Sequence, residues 1–393
     1  MLKNKPSSKI QQKKIAFLVH EPMMLVHYTD VWKALNPNDF TILLTKNFSY
    51  DIHRKKKLGV SEFFYHTSTE GYEVREVTEI IKCKIKFDYV VTNHFISRAN
   101  RVSKHGAIAN FFCKIRNLIL LLPALNKNKY LPQQVGNKQI RFMYGADISN
   151  DWSLQNWNDI YDVFLCHGVN DEREIKKRFK GKTFIMGYPR YDRFFSAQID
   201  LTNIKREFRL SESKKTLLWM PTLGGDCSSI PLFAEALSKI NQKYDIIVRP
   251  HPLSFYQEKK FIHLLEKYNF KIDRNALRDM NELFSAADVV LADNGGTPFS
   301  AIFLGKNLIF LNVPDDIAAE SAATSFIVGS SVLDLKKKLP VVHNQEIDRL
   351  ETMINSEDFY KKNDQEVEML FKKYFNSPRG GGAKRVADIL SSL

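Results

Sequence analysis

The sequence predicts an α/β protein with two doubly wound parallel domains, and three observations favour that class. Short apolar runs of strand length alternate with helix-length segments along most of the chain. With 393 residues, the chain is long enough for two cores. The alternation restarts after a polar, charged stretch. We therefore predict a first domain over residues 1–195, a linker over 196–215, a second domain over 216–343 and terminal helices over 344–393.

The composition is that of an ordinary globular protein, with 44% hydrophobic and 26% charged residues. The four cysteines show no metal-ligand spacing and suit a reducing compartment, so we predict neither a metal site nor a cofactor. No apolar run reaches the roughly 18–20 residues of a membrane span. The basic N-terminus lacks the apolar core of a signal peptide. We expect a cytoplasmic protein.

The net charge of +14 indicates an anionic partner. Nucleic acid, an anionic membrane surface and a polyanionic substrate all fit such an excess. No helix-turn-helix, zinc-finger or RNP pattern is present, so nucleic acid is not predicted. Residues 107–125 are apolar at helical spacing and carry basic residues. This pattern is typical of an interfacial helix on the inner face of the plasma membrane and equally of a helix packed on a core.

Polar side chains follow several strands of the first domain. His20 and His27 come after the first strand, Tyr144 and Asp147 after a later one, and His167 ends another. The carboxyl ends of parallel strands share one edge, where ligands bind. His167 therefore suits a general base, and a histidine bonded to a loop carbonyl is the equal alternative. We predict strands at residues 15–19, 40–44, 62–65, 87–95, 140–143, 161–166 and 183–186, and helices at 28–35, 72–82 and 171–179.

A glycine-containing turn joins two apolar strands of the second domain. The strand at 289–291 leads into Asp293-Asn294-Gly295-Gly296-Thr297-Pro298, then a short helix and a strand at 308–311. The two glycines permit positive φ and close approach of a ligand to the backbone. Thr297 can cap the helix, and the helix N-terminus offers unpaired N–H groups. We predict a phosphate site over residues 293–297, and a capping turn without ligand is the alternative.

His251 stands between two prolines directly after another buried strand, with Arg249 two residues before it. It is therefore expected at the same sheet edge as the glycine turn. An imidazole there can donate to a phosphate oxygen, and Arg249 adds a second phosphate partner. A kinked strand end with a buried histidine is the alternative.

The last segment, residues 344–393, has the apolar spacing of helices at 347–354, 366–374 and 383–390. We expect these helices to pack back on the first domain. The glycine run at 380–382 predicts a hinge, of the kind that gates many enzymes.

Five short segments resemble the CDP-glycerol glycerophosphotransferase family, the TagB and TagF type enzymes of teichoic acid and capsule synthesis. They occur in the family's order: GYPRYD at 187–192, LLWMPT at 217–222, VRPHP at 248–252, MNELFSAADVVLAD at 280–293 and SAIFLGKNLIFL at 300–311. The resemblance implies the GT-B fold and transfer of glycerol phosphate from CDP-glycerol. The implied acceptor is a hydroxyl of a lipid-linked or polymeric cell-surface glycan.

Carried over by position, His251 matches the family's histidine near the donor phosphates. Residues 293–297 match the segment that holds the pyrophosphate, and Thr222 falls in the donor site. Two departures stand out. Tyr144 replaces a family histidine that activates the acceptor, so the base is expected to be His167, with His20 as second candidate. Gly295 and Gly296 replace two serines. Tyr144, Asp147 and Arg190 are the acceptor-side candidates.

Three other functions stay open. The glycine turn also resembles that of UDP-N-acetylglucosamine 2-epimerases, which share the GT-B fold, and Asp147, Asp171 and Glu172 would supply the acidic groups. A nucleotide-sugar glycosyltransferase fits the same features. The third alternative is a domain that has lost catalysis and only binds nucleotide or polymer. The absence of a histidine at the Tyr144 position supports it. The charge and residues 107–125 favour the transferase.

Overall fold

The computed structural model describes residues 14–20, 22–45, 50–51, 56–57, 69–93, 130–145, 156–196, 199–223, 225–275, 277–314 and 331–393. Contacts divide the chain into two compact units. The first comprises residues 1–25, 32–142 and 157–165, and the second comprises 26–31, 143–156 and 166–393. The predicted strand at 62–65, the apolar segment 107–125 and Asp147 lie outside the described residues.

The first unit is built on parallel strands. In chain order the strands are β1 (Ile15–Val19), β2 (Phe40–Leu44), β3 (Tyr50–Asp51), β4 (Lys56–Lys57), β5 (Val74–Glu76), β6 (Phe87–Thr92), β7 (Gly136–Phe142) and β8 (Val163–Cys166). β3 and β4 form a separate antiparallel pair, and the others run in the spatial order β5-β2-β1-β6-β7-β8. Helical segments of this part of the chain lie at Pro22–His27, Thr29–Ala34, Val77–Lys82, Leu131–Val135 and Asn156–Ile160, of which residues 26–31 and 156 group with the second unit.

The second unit contains a six-stranded parallel sheet. After β9 (Lys182–Ile185), its strands are β10 (Thr216–Met220), β11 (Asp245–Val248), β12 (Lys271–Ile272), β13 (Val289–Ala292), β14 (Asn307–Leu311) and β15 (Val341–Val342). The spatial order is β12-β11-β10-β13-β14-β15. Trp219 of β10 pairs with Val248 on one side and Leu291 on the other, so these three strands end at the same edge.

Helices cover both faces of this sheet, which explains why its strands are apolar throughout. Leu218 and Val290 face one core cluster, and Leu217 and Val289 face the other. The helical segments are Val169–Lys176, Pro189–Tyr191, Asp192–Ser196, Thr202–Phe208, Gly225–Cys227, Ile230–Ser238, Ser254–Gln257, Lys259–Lys267, Met280–Ala286, Thr297–Leu304, Ser331–Lys336, Ile347–Ile354, Glu357–Tyr374 and Gly382–Ser392. Within the described ranges, no helix is both long and apolar enough for a membrane span.

The compact units divide the chain earlier than the predicted boundary near residues 196–215. The segment after β8 packs on the C-terminal helices, because the Val169 N–H donates to the Phe375 carbonyl at 2.9 Å. Gly168 lies against the same carbonyl, and a Cβ there would stand 2.3 Å from Phe375 Cα. Residues 166–195 therefore group with the C-terminal part of the chain and not with the first unit.

The glycine run near the C-terminus is closely packed. Gly380 and Gly381 adopt φ of +75° and +67°, which favour glycine. The N–H groups of Gly382 and Ala383 donate to the Asp192 carboxylate at 2.9 and 2.7 Å. A Cβ at Gly382 would lie 2.9 Å from the Met186 carbonyl oxygen. These glycines allow the last helix to pack closely against residues 186–192, whereas the sequence predicted a hinge.

The long helix Glu357–Tyr374 begins nine residues before the predicted 366, because the Ser356 side chain caps it by accepting from the Phe359 N–H. Asn363 of this helix bonds to β14 from the side. Its amide accepts from the Leu308 N–H and donates to the Leu308 carbonyl, both at 3.0 Å. β15 pairs only with Phe310 and Leu311. At Leu308, the Asn363 side chain therefore makes the two hydrogen bonds that a neighbouring strand would otherwise make.

Candidate active site

The glycine turn, residues 293–297, joins β13 to the helix Thr297–Leu304. Gly295 has φ +73° and Gly296 has φ −82°, so a left-handed residue is followed by a right-handed one. Successive conformations of this kind align backbone N–H groups around a concavity that suits an anion. Gly296 is the N-cap, one position before the predicted cap at Thr297, which is the first helical residue.

Asp293 organises this turn from within the core. It is fully buried and accepts hydrogen bonds from the N–H groups of Thr222, Ser229 and Asn294 at 2.9, 2.7 and 2.6 Å. Burial raises the pKa of its carboxyl, although these donors act in the opposite direction. Asp293 therefore joins three loops at the strand edge. Its structural role is to fix the turn.

Thr222 and Asn294 lie at the turn as predicted by position. Thr222 Oγ1 is 3.3 Å from the point that a Cβ on Gly295 would occupy. Asn294 is buried, and its Nδ2 donates to the Cys227 carbonyl at 3.4 Å. Lys336 Nζ donates to Asn294 Oδ1 at 3.2 Å, which adds an ammonium group beside the turn. The sequence did not single out Lys336, because it stands in a run of three lysines that look alike.

His251 follows β11 and is exposed to solvent. Its Nδ1 accepts from the Leu253 N–H at 3.2 Å, so the neutral ring carries its proton on Nε2. The pKa of His251 is lowered to about 4, mainly because neighbouring protein atoms desolvate the ring and secondly because of the positive charge of Arg249. The ring is therefore a neutral donor at pH 7 with an accessible face. β10 separates β11 from β13, so the Thr222 loop stands between His251 and the glycine turn.

Arg249 is buried and bonded within the protein. Its Nη1 donates to Asp273 Oδ2 at 2.9 Å and to the Asn275 carbonyl at 2.6 Å. Arg278 Nε lies 2.9 Å from the other oxygen of Asp273. Burial lowers the pKa of Arg249, and Asp273 opposes this. Its contribution as a phosphate ligand stays a prediction.

The other predicted residues of the second unit meet around one tyrosine, and we call this group the Tyr188 cluster: His27, Tyr144, His167, Tyr188 and Arg190. The Tyr188 hydroxyl donates to the Tyr144 carbonyl at 3.3 Å. The Ser300 hydroxyl lies within hydrogen-bond reach of the Tyr188 hydroxyl and donates to the Gly296 carbonyl at 3.3 Å. Ser300 therefore lies between the cluster and the glycine turn.

His167 is fully buried in this cluster. Its Nδ1 lies 3.0 Å from Asp171 Oδ2, and its ring centroid is 4.2 Å from that of Tyr188. Its Nε2 is buried and has no hydrogen-bond partner among the described residues. Such an orphaned atom is costly, so it calls for an explanation. The carboxylate fixes the proton on Nδ1 and leaves Nε2 as an acceptor.

His27 and Arg190 complete the cluster. The ring of His27 lies 5.7 Å from that of Tyr144, and burial, Arg190 and His167 lower its pKa well below the usual 6.5. The Arg190 guanidinium lies 5.2 Å from the Tyr191 ring centroid.

His20 belongs to the first unit, where its carbonyl accepts from Thr45 Oγ1 at 3.3 Å. In the described part of the chain, no three His, Cys, Asp or Glu residues could hold a metal ion.

Two parallel-sheet units, with a glycine turn at the carboxyl edge of the second, define a protein of the GT-B class, and the predicted fold class is confirmed. The family model of CDP-Glycerol:Poly(glycerophosphate) glycerophosphotransferase matches residues 133–391. The chain belongs to this family, as the resemblance indicated. It is also similar to the teichoic acid glycerol-phosphate primase of Bacillus spizizenii, with 25% identity over 167 residues. That match spans 40% of this chain and 42% of the primase.

Solved structures show the same fold. A structure of the wall teichoic acid polymerase TagF, a variant with CDPG, superposes with a TM-score of 0.59 at 14% identity. The alignment covers 98% of this chain and 90% of that one. A UDP-GlcNAc 2-epimerase from Neisseria meningitidis, bound to UDP-GlcNAc, has a TM-score of 0.54 at 13% identity, covering 96% and 100%. At these identities the likeness concerns the fold alone.

Proposed function

We propose that this protein transfers glycerol phosphate from CDP-glycerol to a hydroxyl of a teichoic-acid or capsule-type polymer. The observation that carries the proposal is the glycine turn, held by Asp293 at the strand edge within the residues that match the family model. The N–H groups of Gly295 to Thr297 and the helix N-terminus would hold the donor diphosphate. Lys336 adds positive charge beside it.

His251 would assist departure of the nucleotide. Its neutral ring presents Nε2–H outward, because Nδ1 is engaged by the Leu253 N–H. A donor in this position stabilises the charge that develops on the leaving phosphate. Thr222 contributes a hydroxyl at the same edge.

The acceptor hydroxyl oxygen would attack the phosphorus that carries glycerol. The bond from this phosphorus to the bridging oxygen breaks, CMP leaves, and the hydroxyl proton passes to a base. We assign the base to His167 Nε2, because Asp171 holds Nδ1 in the arrangement that orients a catalytic imidazole. His20, Tyr144 and Asp147 remain acceptor-side proposals with lesser support.

The acceptor would be polyanionic, which fits the net charge of +14. Enzymes that use CDP-linked donors work where those donors are made, so we place the protein in the cytoplasm. Contact with the inner face of the plasma membrane through residues 107–125 is part of the same proposal.

Thermal shift with CDP-glycerol, CMP, CDP-ribitol, UDP-N-acetylglucosamine and CMP-sugars tests donor choice, because a ligand of the folded state raises the melting temperature. Selective stabilisation by CDP-glycerol, followed by transfer to a glycerol-phosphate oligomer, is the expected result. Selective binding of UDP-N-acetylglucosamine would favour a sugar transferase or the epimerase, whose fold is also similar. Binding without transfer would favour the non-catalytic alternative.

A single substitution sharpens this test. His251→Ala removes the Nε2–H donor, and we expect turnover to fall by about 100-fold or more. His263→Ala is the matched control, because His263 is an exposed histidine of the same unit. Unchanged turnover in His251→Ala would contradict the role of His251.

A further inference from the structure

Arg190 differs from every other buried or half-buried arginine in the described part of the chain. The residue is half-buried, yet no carboxylate or carbonyl accepts from its guanidinium among these residues. The others each have such an acceptor: Arg75 has Glu73, Arg141 has Asn93, Arg249 has Asp273, Arg278 has Glu207, Arg379 has Phe303 and Arg385 has Met186. The side-chain nitrogens of Arg190 are not among the buried unpartnered atoms, so they are open to water and can donate to an anionic ligand.

The backbone that carries Arg190 is firmly held. Asn281 Nδ2 donates to the Arg190 carbonyl at 3.0 Å, and the guanidinium stacks on Tyr191. Two residues further on, the Asp192 carboxylate accepts from the first two N–H groups of the helix Gly382–Ser392. The backbone segment that carries the Arg190 side chain is therefore held in place by these hydrogen bonds.

Two basic side chains lie within electrostatic reach of Arg190. Its charge acts on both His27 and Arg249, and it lowers the pKa of each. The acidic groups nearby are already engaged: Asp171 holds His167, and Asp192 caps the last helix. The protein supplies no counter-charge to Arg190 from these neighbours, so the ligand would have to supply it.

We propose that Arg190 binds a phosphate group of a substrate, through the planar fork with which a guanidinium holds two phosphate oxygens. This proposal rests on the proposed function and gives Arg190 a specific ligand within it. Arg190 lies in electrostatic reach of Arg249 on the donor side and of His27, on which His167 also acts. The phosphate is therefore that of the donor or that of the acceptor terminus.

The test compares Arg190→Gln, Arg190→Lys and Arg193→Gln in the full-length protein. Arg193 is the matched control, because it is exposed three residues further on and pairs with Asp279 at the surface. Calorimetry measures binding of inorganic pyrophosphate and of CDP-glycerol. Steady-state transfer to a glycerol-phosphate oligomer gives kcat and both KM values, and melting temperatures show that each variant is folded.

We expect Arg190→Gln to weaken phosphate binding by about tenfold or more, with partial rescue in Arg190→Lys and changes under about twofold in Arg193→Gln. Weaker pyrophosphate and CDP-glycerol binding assigns the donor phosphate. A raised acceptor KM with unchanged donor affinity assigns the acceptor phosphate. Wild-type values for both affinities, both KM values and kcat in Arg190→Gln would overturn the proposal.

The pyrophosphate measurement separates this proposal from the proposed function. Pyrophosphate binding that depends on Arg190 supports the proposal whichever nucleotide the protein selects. Absence of transfer from CDP-glycerol, with that dependence intact, would contradict the proposed function alone.

Discussion

The glycine turn and the Tyr188 cluster lie in the same unit but are built in opposite ways. The turn offers backbone N–H groups, and one buried carboxylate, Asp293, fixes it through bonds to neighbouring loops. The cluster offers side chains from four separate segments, packed on aromatic rings and supported by the C-terminal helices. Chemistry at the turn therefore depends on local backbone shape, and chemistry at the cluster depends on the packing of distant segments.

The largest expected effect concerns His167, the base proposed in the cluster. His167→Gln retains a side chain of similar size but removes the acceptor nitrogen, so we expect kcat to fall by about 100- to 10,000-fold. The affinity for CDP-glycerol, which we propose is set at the turn, should stay within about twofold. His263→Gln is the control, since His263 forms a comparable pair with Glu266 at the surface, 3.0 Å apart. A kcat near wild type in folded His167→Gln would remove His167 as the base.

The second effect concerns the packing that supports the cluster. Gly168→Ala would place a Cβ 2.3 Å from Phe375 Cα, and backbone has little room to yield. We expect the free energy of unfolding in urea to fall by about 1–3 kcal/mol. Gly145→Ala, where a Cβ meets nothing within 4 Å, should stay close to wild type. Equal stability of the two variants would show that the C-terminal helices do not constrain the His167 segment.

The third effect separates ligand contact from stability. Gly296→Ala meets no protein atom within 4 Å and has an ordinary negative φ, so unfolding should change by only a few tenths of a kcal/mol. If donor phosphate approaches the turn closely, the added methyl group should weaken CDP-glycerol binding by about tenfold. Calorimetry measures this directly. Unchanged affinity would place the phosphate elsewhere.

The smallest effect is a dependence on pH. The pKa of His27 is lowered well below 6.5 in the folded protein, so the unfolded chain binds more protons below that pH. The stability that this group contributes is therefore present above pH 6.5 and is lost as the pH falls. Between pH 7.5 and 5.5, His27→Gln should lose about 1 kcal/mol less than wild type in urea unfolding. An identical loss in both proteins would contradict the buried neutral state of His27.

The second sheet and the glycine turn could be predicted because their signals are local. An apolar strand, two glycines and a proline at a helix start specify that geometry within ten residues, and the observed cap differs by one position. The surroundings of Arg249 could not be predicted, since its partner Asp273 is 24 residues away. The glycine run at 380–382 was taken for a hinge because its partner, Asp192, is 190 residues away in sequence.

Asn363 has a consequence for the behaviour of the protein in a crowded cell. β15 is only two residues long, and it leaves the backbone of Leu308 open along part of β14. Unpaired strand groups of this kind recruit strands from other molecules and start aggregation. Because the Asn363 amide satisfies both the N–H and the carbonyl of Leu308, it closes this stretch without adding a strand. One side chain on a helix thus covers an open stretch at this side of the six-stranded sheet.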